Sequence, residues 1–291
     1  RPAQFDLGVA IDLLRDVLAE RSLLHGRVGL ELGFVPAADF PTFGRVPVTW
    51  IDCTRTVEQL RSIKSPAEIA LLRAAAEYAG AGMVELFQSV KAGMEATQMA
   101  EIWRSAAVAE ARSRRQAPPD SAWAYIAVAG DGFAPGGAAG SGDIIKIDVG
   151  CVVGGYSSDG GRTAVLGAPH PQAVRVYDSL RRAFDIGFAL LRPGMPLSEI
   201  YYATARSMWN DGFDGYGRGH FGHGVGASIW SEEWPFISAH SEAVLEPGMV
   251  LAFETPWYID GLGGFIIEDQ VLVTESSCEA MSPLPRHLHL L

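Results

Sequence analysis

The chain contains no apolar run that approaches the ~20 residues a helix needs to cross a bilayer. Its first residues also lack the basic segment followed by an apolar one that is typical of a secretory signal peptide. These two absences predict a protein that does not insert into membranes and that acts in the cytoplasm.

Basic residues are few compared with acidic ones. The 291 residues include 23 Lys and Arg against 34 Asp and Glu, which gives a formal net charge of −11. Nucleic-acid binding needs a concentrated basic surface, whereas the short cluster from Arg112 to Arg115 is better explained as a solvated helix end. The composition therefore argues against a nucleic-acid-binding protein.

Cysteine is also scarce. Cys53, Cys151 and Cys278 lie far apart and are odd in number, which indicates reduced thiols rather than a disulfide framework. Cys151 lies close in sequence to Asp148 and Asp159, so a role as a metal ligand has to be weighed. An apolar filling role is favoured, because a carboxylate-rich site binds hard cations and gains little from one soft sulfur.

The chain is predicted to have two parts. The apolar spacing over Leu7–Glu20 predicts a helix, and Val28–Leu32 and Val48–Cys53 are typical of short strands. One helix and two strands are too few to close a core of their own. Residues 1–57 are therefore expected to be the end of a small N-terminal α/β domain, and residues 58–291 a larger domain.

A pattern of helix, turn and helix occurs twice in the larger part. The first copy begins at Ser65 with a capping-box sequence, runs to about Val90, and continues with a helix that opens near Thr97. The second copy has a helix over Val174–Leu191 and another that opens near Ser198. Glycine-punctuated strands follow each copy, which predicts a pseudo-symmetric α+β domain whose helices cover one face of a mainly antiparallel sheet.

Two predicted hairpins carry pairs of acidic residues. In the first, Ile144–Val149 and Tyr156–Leu166 are joined through a Gly-Gly turn, and Asp148 and Asp159 lie at similar distances from that turn. Antiparallel pairing would bring the two carboxylates close together. Like charges in such positions repel unless a cation or a proton lies between them, so the sequence calls for a counter-ion.

The second hairpin repeats the arrangement. Val250–Tyr258 and Phe265–Val273 are joined by a glycine-rich turn, and Glu254 and Glu268 flank it symmetrically. A structural role would explain any one of these acids, Asp159 included. It does not explain four acids in matching positions of two apolar hairpins, where each would need a partner.

His223 lies in the glycine-rich run 219–226. The glycines are expected to let the backbone approach a ligand and to leave the imidazole free to point inward. Four carboxylates and one imidazole offer enough donors for two divalent ions, provided that some carboxylates bridge. Mn²⁺, Co²⁺, Zn²⁺ and Fe²⁺ all fit this donor set, and their affinity order does not choose between them.

With these motifs the chain resembles the pita-bread metallopeptidases, which include methionine aminopeptidase, aminopeptidase P, prolidase and the metal-free creatinase. Residues 1–57 are similar to the end of the N-terminal domain of prolidases and creatinases, and residues 61–68 to the junction that follows it. Five ligand motifs occur in the family's order: Ile147-Asp148-Val149-Gly150, Ser158-Asp159-Gly160-Gly161-Arg162-Thr163, Gly222-His223-Gly224-Val225-Gly226, Phe253-Glu254 and Ile267-Glu268-Asp269.

The resemblance implies the role of each ligand. Asp148 is implied to hold one ion, Asp159 and Glu268 to bridge both ions, and His223 and Glu254 to complete the shell of the other. A hydroxide between two ions is a strong nucleophile near neutral pH, and Glu254 is the implied proton acceptor. The resemblance thus implies a dinuclear metal-dependent hydrolase of Xaa-Pro dipeptidase type that acts on a small peptide or amide, and the relatives of this type also suggest a homodimer.

Two histidines that the family uses to hold substrate are missing. The first is expected after the strand Trp123–Val128, where the glycine-rich residues 131–140 contain no histidine and lack the lysine and Ser/Thr of a P-loop. The second is replaced by Trp230 or, with a two-residue insertion, by Glu232. His220 is a candidate catalytic replacement, although a structural role or one behind the ligands also fits it.

These departures leave two alternative functions open. A non-peptidase relative, such as a lyase or another hydrolase of small C–N bonds, would have no use for histidines that handle peptides. A catalytically weakened relative would bind metal without turnover, but five intact ligands weigh against it. Four aromatic residues are candidates for the wall of an apolar pocket, although core packing explains most such residues; they are Trp230, Trp234, Phe236 and Trp257.

Overall fold

The computed structural model describes residues 6–228, 232–282 and 284–291. The chain forms two compact units, which divide between Arg61 and Ser62. The helices of the described residues are all too short or too polar to cross a membrane.

The first unit is a small α/β unit. Its elements are α1 (Leu7–Glu20), β1 (Arg27–Leu30), a 3-10 turn (Leu32–Phe34), α2 (Phe40–Phe43), β2 (Thr49–Asp52) and α3 (Thr54–Ser62). β1 and β2 pair in parallel, and Ile11 and Leu18 of α1 pack with Phe43 and Val46 in a small core. The predicted helix and both strands are confirmed, while the likeness of this unit to a prolidase N-terminal domain stays a prediction.

The second unit contains two helix pairs. They are α4 (Pro66–Ser89) with α5 (Ala96–Ser113), and α6 (Pro171–Phe188) with α7 (Leu197–Asn210). The predicted capping box opens α4, since the Ser65 hydroxyl accepts the Glu68 N–H and the Glu68 carboxylate accepts the Ser65 N–H. Each pair packs in its own apolar cluster: Met83, Leu86 and Trp103 belong to one, and Tyr177, Phe184 and Ile200 to the other.

A ten-stranded sheet forms the centre of the second unit as the structure describes it. The strands of this unit are β3 (Ser121–Val128), β4 (Ile144–Val153), β5 (Tyr156–Ser157), β6 (Gly160–Val165), β7 (His220–Gly224), β8 (Glu233–Ser238), β9 (Val250–Glu254), β10 (Trp257–Ile259), β11 (Gly263–Phe265), β12 (Glu268–Val273), β13 (Cys278–Ala280) and β14 (His289–Leu290). The sheet has the order β3-β4-β6-β12-β9-β7-β8, with β5, β13 and β14 on β4, β12 and β6. All its pairs are antiparallel except β6 with β14. The predicted pseudo-symmetric α+β class is confirmed.

The first acidic hairpin is interrupted where the sequence predicted a continuous strand. β5 ends at Ser157 and β6 begins at Gly160, so Ser158 and Asp159 lie between them. In this break the Ser158 hydroxyl accepts the N–H of Cys151 at 2.9 Å, and the Asp159 N–H donates to a Gln270 side chain at 3.1 Å. Side chains thus replace ladder hydrogen bonds, and Asp159 leaves the regular register.

The second acidic hairpin is also broken into shorter strands. β9 is separated from β10 by Thr255 and Pro256, and β11 from β12 by Ile266 and Ile267. Pro256 has no N–H to donate to a ladder, which ends the regular pairing there. β10 and β11 form a separate two-stranded ribbon, and the acids remain on β9 and β12 at its base.

Candidate metal centre

Sheet register brings the acids of the two hairpins together. Asp148 on β4 pairs with Gly161 on β6, Gly161 pairs with Glu268 on β12, and Glu268 pairs with Glu254 on β9. One line of register across four strands therefore carries three of the four acids. Asp159 comes from the break before β6, so it does not lie directly opposite Asp148, as the symmetric hairpin would have placed it.

His223 enters the centre from β7, which pairs with β9. Its Nδ1 lies 3.0 Å from the carbonyl oxygen of Gly224, so the ring donates from Nδ1 and keeps Nε2 as an acceptor. Nε2 lies 3.6 Å from Asp159 Oδ2. Ligand atoms of Asp159, His223 and Glu268 all lie within 4.8 Å of one another, which is a spacing that one metal ion can bridge.

The glycine before this histidine makes a close approach to protein backbone. Gly222 has φ +146°, and a Cβ at this position would lie 2.1 Å from the carbonyl oxygen of Ala252 on β9. The glycines of this run were expected to let the backbone approach a ligand. At Gly222 the close approach is instead between the backbones of β7 and β9. A side chain at Gly222 would push apart the strands that carry His223 and Glu254.

The raised pKa values of the four acids indicate that this centre favours an added positive charge. Burial raises the pKa of Asp148 to about 6, although the neighbouring Lys146 opposes that shift. Burial, and then the charge of other acids, raises the pKa values of Asp159 and Glu268 well above their usual range. Burial also raises the pKa of Glu254. Carboxylates in this state gain from a cation that neutralises them.

The donor set fits divalent ions. Burial lowers the pKa of His223, which keeps the imidazole neutral near pH 7 and able to donate a lone pair. Hard carboxylate oxygens with one imidazole suit Mn²⁺, Fe²⁺, Co²⁺ and Zn²⁺. Cys151 supplies no ligand, because it is fully buried in the core beneath α4 and α5 and burial raises the pKa of its thiol to about 12.

Two cations that the sequence analysis did not single out lie beside the acids. Lys146 Nζ is 3.5 Å from Asp148 Oδ2, and an Arg218 terminal nitrogen is 3.4 Å from Glu254 Oε1. Both cations lie over the ring of Tyr258, at 5.2 and 6.0 Å from its centroid. The sequence does carry a signal for Lys146. It lies two residues before Asp148 in an apolar strand, and residues at that spacing share one face of β4.

Arg162 belongs to the second ligand motif, and its side chain holds the fifth motif, which contains Glu268 and Asp269. Arg162 is 1% exposed and donates to the carbonyl oxygen of Glu268 at 2.6 Å and to Asp269 Oδ1 at 2.5 Å. Arg286 donates to the other oxygen of Asp269 at 2.8 Å. A buried carboxylate held between two guanidinium groups fixes the start of β12, and with it the position of Glu268.

The candidate catalytic residue His220 lies between two glutamates. Its Nε2 is 3.2 Å from Glu232 Oε2, and its Nδ1 is 3.6 Å from Glu254 Oε1. Nδ1 also accepts the N–H of Gly222 at 3.2 Å, which places the ring proton on Nε2, facing Glu232. Glu232 therefore reaches the centre, whereas Trp230, its alternative at the missing family histidine, lies outside the described residues.

A pocket of about 220 Å³ opens onto the acids. It is lined by Trp123 and Tyr125 of β3 and by Glu232, together with Asp148, Ser157, Ser158, Asp159, His223, Gly224, Val225 and Ser228. Among the described residues the aromatic wall comes from β3 and not from Trp234, Phe236 or Trp257, while Trp230 lies outside the described residues. Trp234 and Trp257 pack against the core, and the ring of Phe236 lies 5.5 Å from that of His220.

Comparison with known proteins gives consistent matches. Residues 70–275 match the sequence profile of metallopeptidase family M24. The chain is 30% identical over 273 residues to the uncharacterized peptidase YqhT of Bacillus subtilis, covering 91% of this chain and 75% of that protein. It is 31% identical over 238 residues to an Xaa-Pro dipeptidase of Pyrococcus furiosus, covering 80% of this chain and 66% of that protein. The structure of an Xaa-Pro dipeptidase from Bacillus anthracis matches with a TM-score of 0.85 at 26% identity, covering 97% of this chain and 78% of that one.

Proposed function

Since this chain belongs to metallopeptidase family M24 and has its pita-bread fold, we propose that it is a dinuclear metal-dependent hydrolase of Xaa-Pro dipeptidase type. One observation carries the proposal. Asp159, His223 and Glu268 place ligand atoms within 4.8 Å of one another, and burial raises the pKa values of these two acids and of the neighbouring Asp148 and Glu254. Such a cluster is costly unless cations neutralise it.

Each ligand has a proposed role. Asp148 would hold one ion, Asp159 and Glu268 would bridge both ions, and His223 and Glu254 would complete the shell of the other. When bound, such ions lower the pKa of water and polarise a scissile carbonyl group. The break before β6 supports the bridging role of Asp159, because it turns this side chain toward His223 and Glu268.

Glu254 is proposed as the proton acceptor for the attacking water. Its Oε1 lies 3.4 Å from Arg218 and 3.6 Å from the His220 ring, and both neighbours oppose the effect of burial on its pKa. They thereby favour the charged form of Glu254, which can accept a proton. His220 acts in this proposal as a positioning residue, which Glu232 holds through Nε2.

Metal analysis followed by hydrolysis assays tests the proposal. Protein purified without chelator should contain divalent metal and cleave members of a panel of Xaa-Pro dipeptides. Glu254→Gln should lose turnover, whereas Glu246→Gln, which changes an exposed glutamate, should retain it. Protein that takes up no Mn²⁺, Co²⁺, Zn²⁺ or Fe²⁺ at neutral pH would contradict the metal centre itself.

Glu232 favours a second candidate, a non-peptidase enzyme that keeps the metal centre. A carboxylate lines the pocket where the resemblance expects a neutral imidazole donor, and residues 131–140 supply no histidine. Loss of one donor to a developing oxyanion slows acyl transfer by about 10²–10³-fold. Bound metal without cleavage of any Xaa-Pro dipeptide would support a lyase or a hydrolase of another small C–N substrate.

Three further properties stay predictions from the resemblance and the composition. Manganese is the ion proposed first, and metal analysis of the purified protein will check it. A homodimer is proposed, and its mass in solution decides the point. A cytoplasmic location is proposed as well, and cell fractionation tests it.

A further inference from the structure

Trp123 and Tyr125 form an aromatic wall on one side of the pocket. They lie two residues apart on β3, so both side chains project from one face of this strand, and their ring centroids are 5.8 Å apart. The Trp123 ring is held in place, because a Cβ at Gly150 would lie 2.4 Å from it and its Nε1 donates to Ser157 Oγ at 3.3 Å. Tyr125 is 51% exposed. The wall is therefore formed before any ligand binds.

Glu232 supplies a negative charge to the same pocket. It is not one of the five proposed ligands, its side chain is 47% exposed, and its Oε2 lies 3.2 Å from His220 Nε2. His220 Nδ1 accepts the N–H of Gly222, so the ring donates from Nε2 without a net charge of its own. The hydrogen bond from His220 lowers the pKa of Glu232. Glu232 is thus a carboxylate at neutral pH, and its nearest partner does not balance its charge.

The charges around the pocket leave Glu232 in excess. Two divalent ions would balance the four acids that are proposed as ligands. Among the described residues that line the pocket there is neither a lysine nor an arginine, and the nearby Lys146 and Arg218 lie against Asp148 and Glu254 instead. The pocket volume of about 220 Å³ has room for about seven water-sized groups of ~30 Å³ each. A substrate side chain can therefore enter it beside the scissile group.

We propose that this pocket binds an organic ammonium group, so that the enzyme prefers Xaa-Pro dipeptides whose Xaa side chain carries a positive charge, as lysine does. The inference rests on the proposed function and names its substrate class. The cation is attracted by the electron-rich faces of Trp123 and Tyr125 and by the carboxylate of Glu232. A neutral side chain of the same size gains only the apolar contact, and an acidic one is repelled by Glu232.

Hydrolysis of matched dipeptides tests the preference. Lysyl-proline is compared with α-aminoheptanoyl-proline, in which a methyl group replaces the side-chain ammonium group. The kcat/KM of lysyl-proline should be higher by about tenfold or more. Glu232→Gln should bring the two substrates within about threefold of each other. This variant also alters the support of His220, but that change affects both substrates, so their ratio isolates the charge. Glu246→Gln, at an exposed position, should keep the wild-type ratio.

A binding measurement tests the same pocket without turnover. The full chain, loaded with diamagnetic Zn²⁺, is titrated with choline and with dimethylbutanol, in which a tert-butyl group replaces the trimethylammonium group of choline. A quaternary nitrogen has no lone pair and cannot coordinate the metal, so the comparison reports on the pocket. Saturation-transfer NMR of the methyl signals gives both affinities. Choline should bind about tenfold more tightly than dimethylbutanol, and Glu232→Gln should remove most of this difference.

Matched variants of Tyr125 separate attraction by an aromatic ring from apolar packing. Tyr125→Phe keeps the ring and should keep the preference for choline. Tyr125→Leu keeps an apolar side chain and should weaken choline by about threefold or more, while changing the affinity for dimethylbutanol less. Equal weakening of both ligands in Tyr125→Leu would show that the wall acts only by apolar contact, which contradicts the proposed ammonium site.

The outcomes separate this inference from the proposed function. Cleavage of Xaa-Pro dipeptides with equal kcat/KM for lysyl-proline and its neutral analogue would overturn the inference and leave the dipeptidase in place. Equal affinity for choline and dimethylbutanol, or no saturable binding of choline, would overturn it as well, and neither result needs a variant to fold. A choline preference that Glu232→Gln removes, without cleavage of any Xaa-Pro dipeptide, would overturn the dipeptidase and support the ammonium site.

Discussion

Glu268 lies directly opposite Glu254 in the antiparallel pair of β12 and β9. Both side chains are buried, at 3% and 8% exposure. Facing like charges destabilise a strand pair unless a cation or proton lies between them. The stability of this part of the sheet is therefore coupled to metal binding and to pH.

Glu268→Gln is expected to stabilise the metal-free protein at pH 8 by about 1 kcal/mol, because the amide removes one of two facing charges. Burial and neighbouring acids raise the pKa of Glu268 in the folded chain above its ordinary 4.5. The folded protein therefore gains from protonation at low pH and loses that gain as the pH rises through the raised pKa. The difference between variant and wild type should grow from pH 5 to pH 8 in urea unfolding.

The same substitution should destroy function while it improves stability. With Mn²⁺ present, wild type should gain stability and Glu268→Gln should gain little, because a bridging ligand is lost. Glu246→Gln, at an exposed position, serves as the control and should follow wild type in both states. A metal-free Glu268→Gln protein less stable than wild type at pH 8 would contradict the repulsion between Glu254 and Glu268.

Metal binding should release protons, and more of them at pH 6 than at pH 8. Burial raises the pKa of Asp148 to about 6, so about half of this group is protonated at pH 6. Burial and neighbouring acids also raise the pKa values of Asp159 and Glu268 well above the usual range, so these acids add to the release. Ion binding requires the charged carboxylates, so their protons leave. Calorimetry in two buffers of different ionisation enthalpy counts them, and equal release at both pH values would contradict the raised pKa values.

His220→Ala should lower kcat by about 10–100-fold while changing KM and metal affinity little, since His220 acts through Glu254 and not as a ligand. Glu232→Gln keeps an acceptor for His220 Nε2 and should reduce kcat less than His220→Ala does. The matched control is His240→Ala, which removes an exposed histidine. Steady-state kinetics with the preferred dipeptide and a metal titration of each variant make the comparison. Unchanged kcat in His220→Ala would remove this residue from the mechanism.

Local signals in the sequence predicted much of the fold. Ser65 and Glu68 predict the start of α4, because a capping box is a short-range pattern whose hydrogen bonds form within one helical turn. The acids on β9 and β12 were placed correctly relative to each other because a hairpin limits its own register. In both places the physical cause lies in residues that are near in sequence.

The features of the site that the sequence did not predict depend on contacts between residues that are far apart in the chain. The break at Ser158 and Asp159 depends on Gln270, which follows more than a hundred residues later and accepts the Asp159 N–H. The approach of Arg218 to Glu254 likewise depends on how β7 and β9 pair. Lys146 differs, because its position on the Asp148 face follows from the alternation of β4. Its importance becomes visible only once the metal-binding face is identified.

Gly222→Ala is expected to weaken metal binding through the backbone. A Cβ at this position would lie 2.1 Å from the Ala252 carbonyl oxygen, and the φ of +146° disfavours a side chain. Relief requires β7 to move away from β9, which carries His223 away from Asp159 and Glu268. The free energy of unfolding should fall by about 1–3 kcal/mol or more, and Mn²⁺ affinity should fall by at least about tenfold.

Gly219→Ala provides the matched control for this glycine. Its Cβ would meet no atom within 4 Å and its φ lies outside the left-handed region, although it is only three residues away. Urea unfolding and Mn²⁺ titration of both variants give the comparison. Wild-type metal affinity in folded Gly222→Ala would show that the close approach of β7 to β9 does not position His223. Loss of affinity in Gly222→Ala alone would tie the metal centre to this single strand contact.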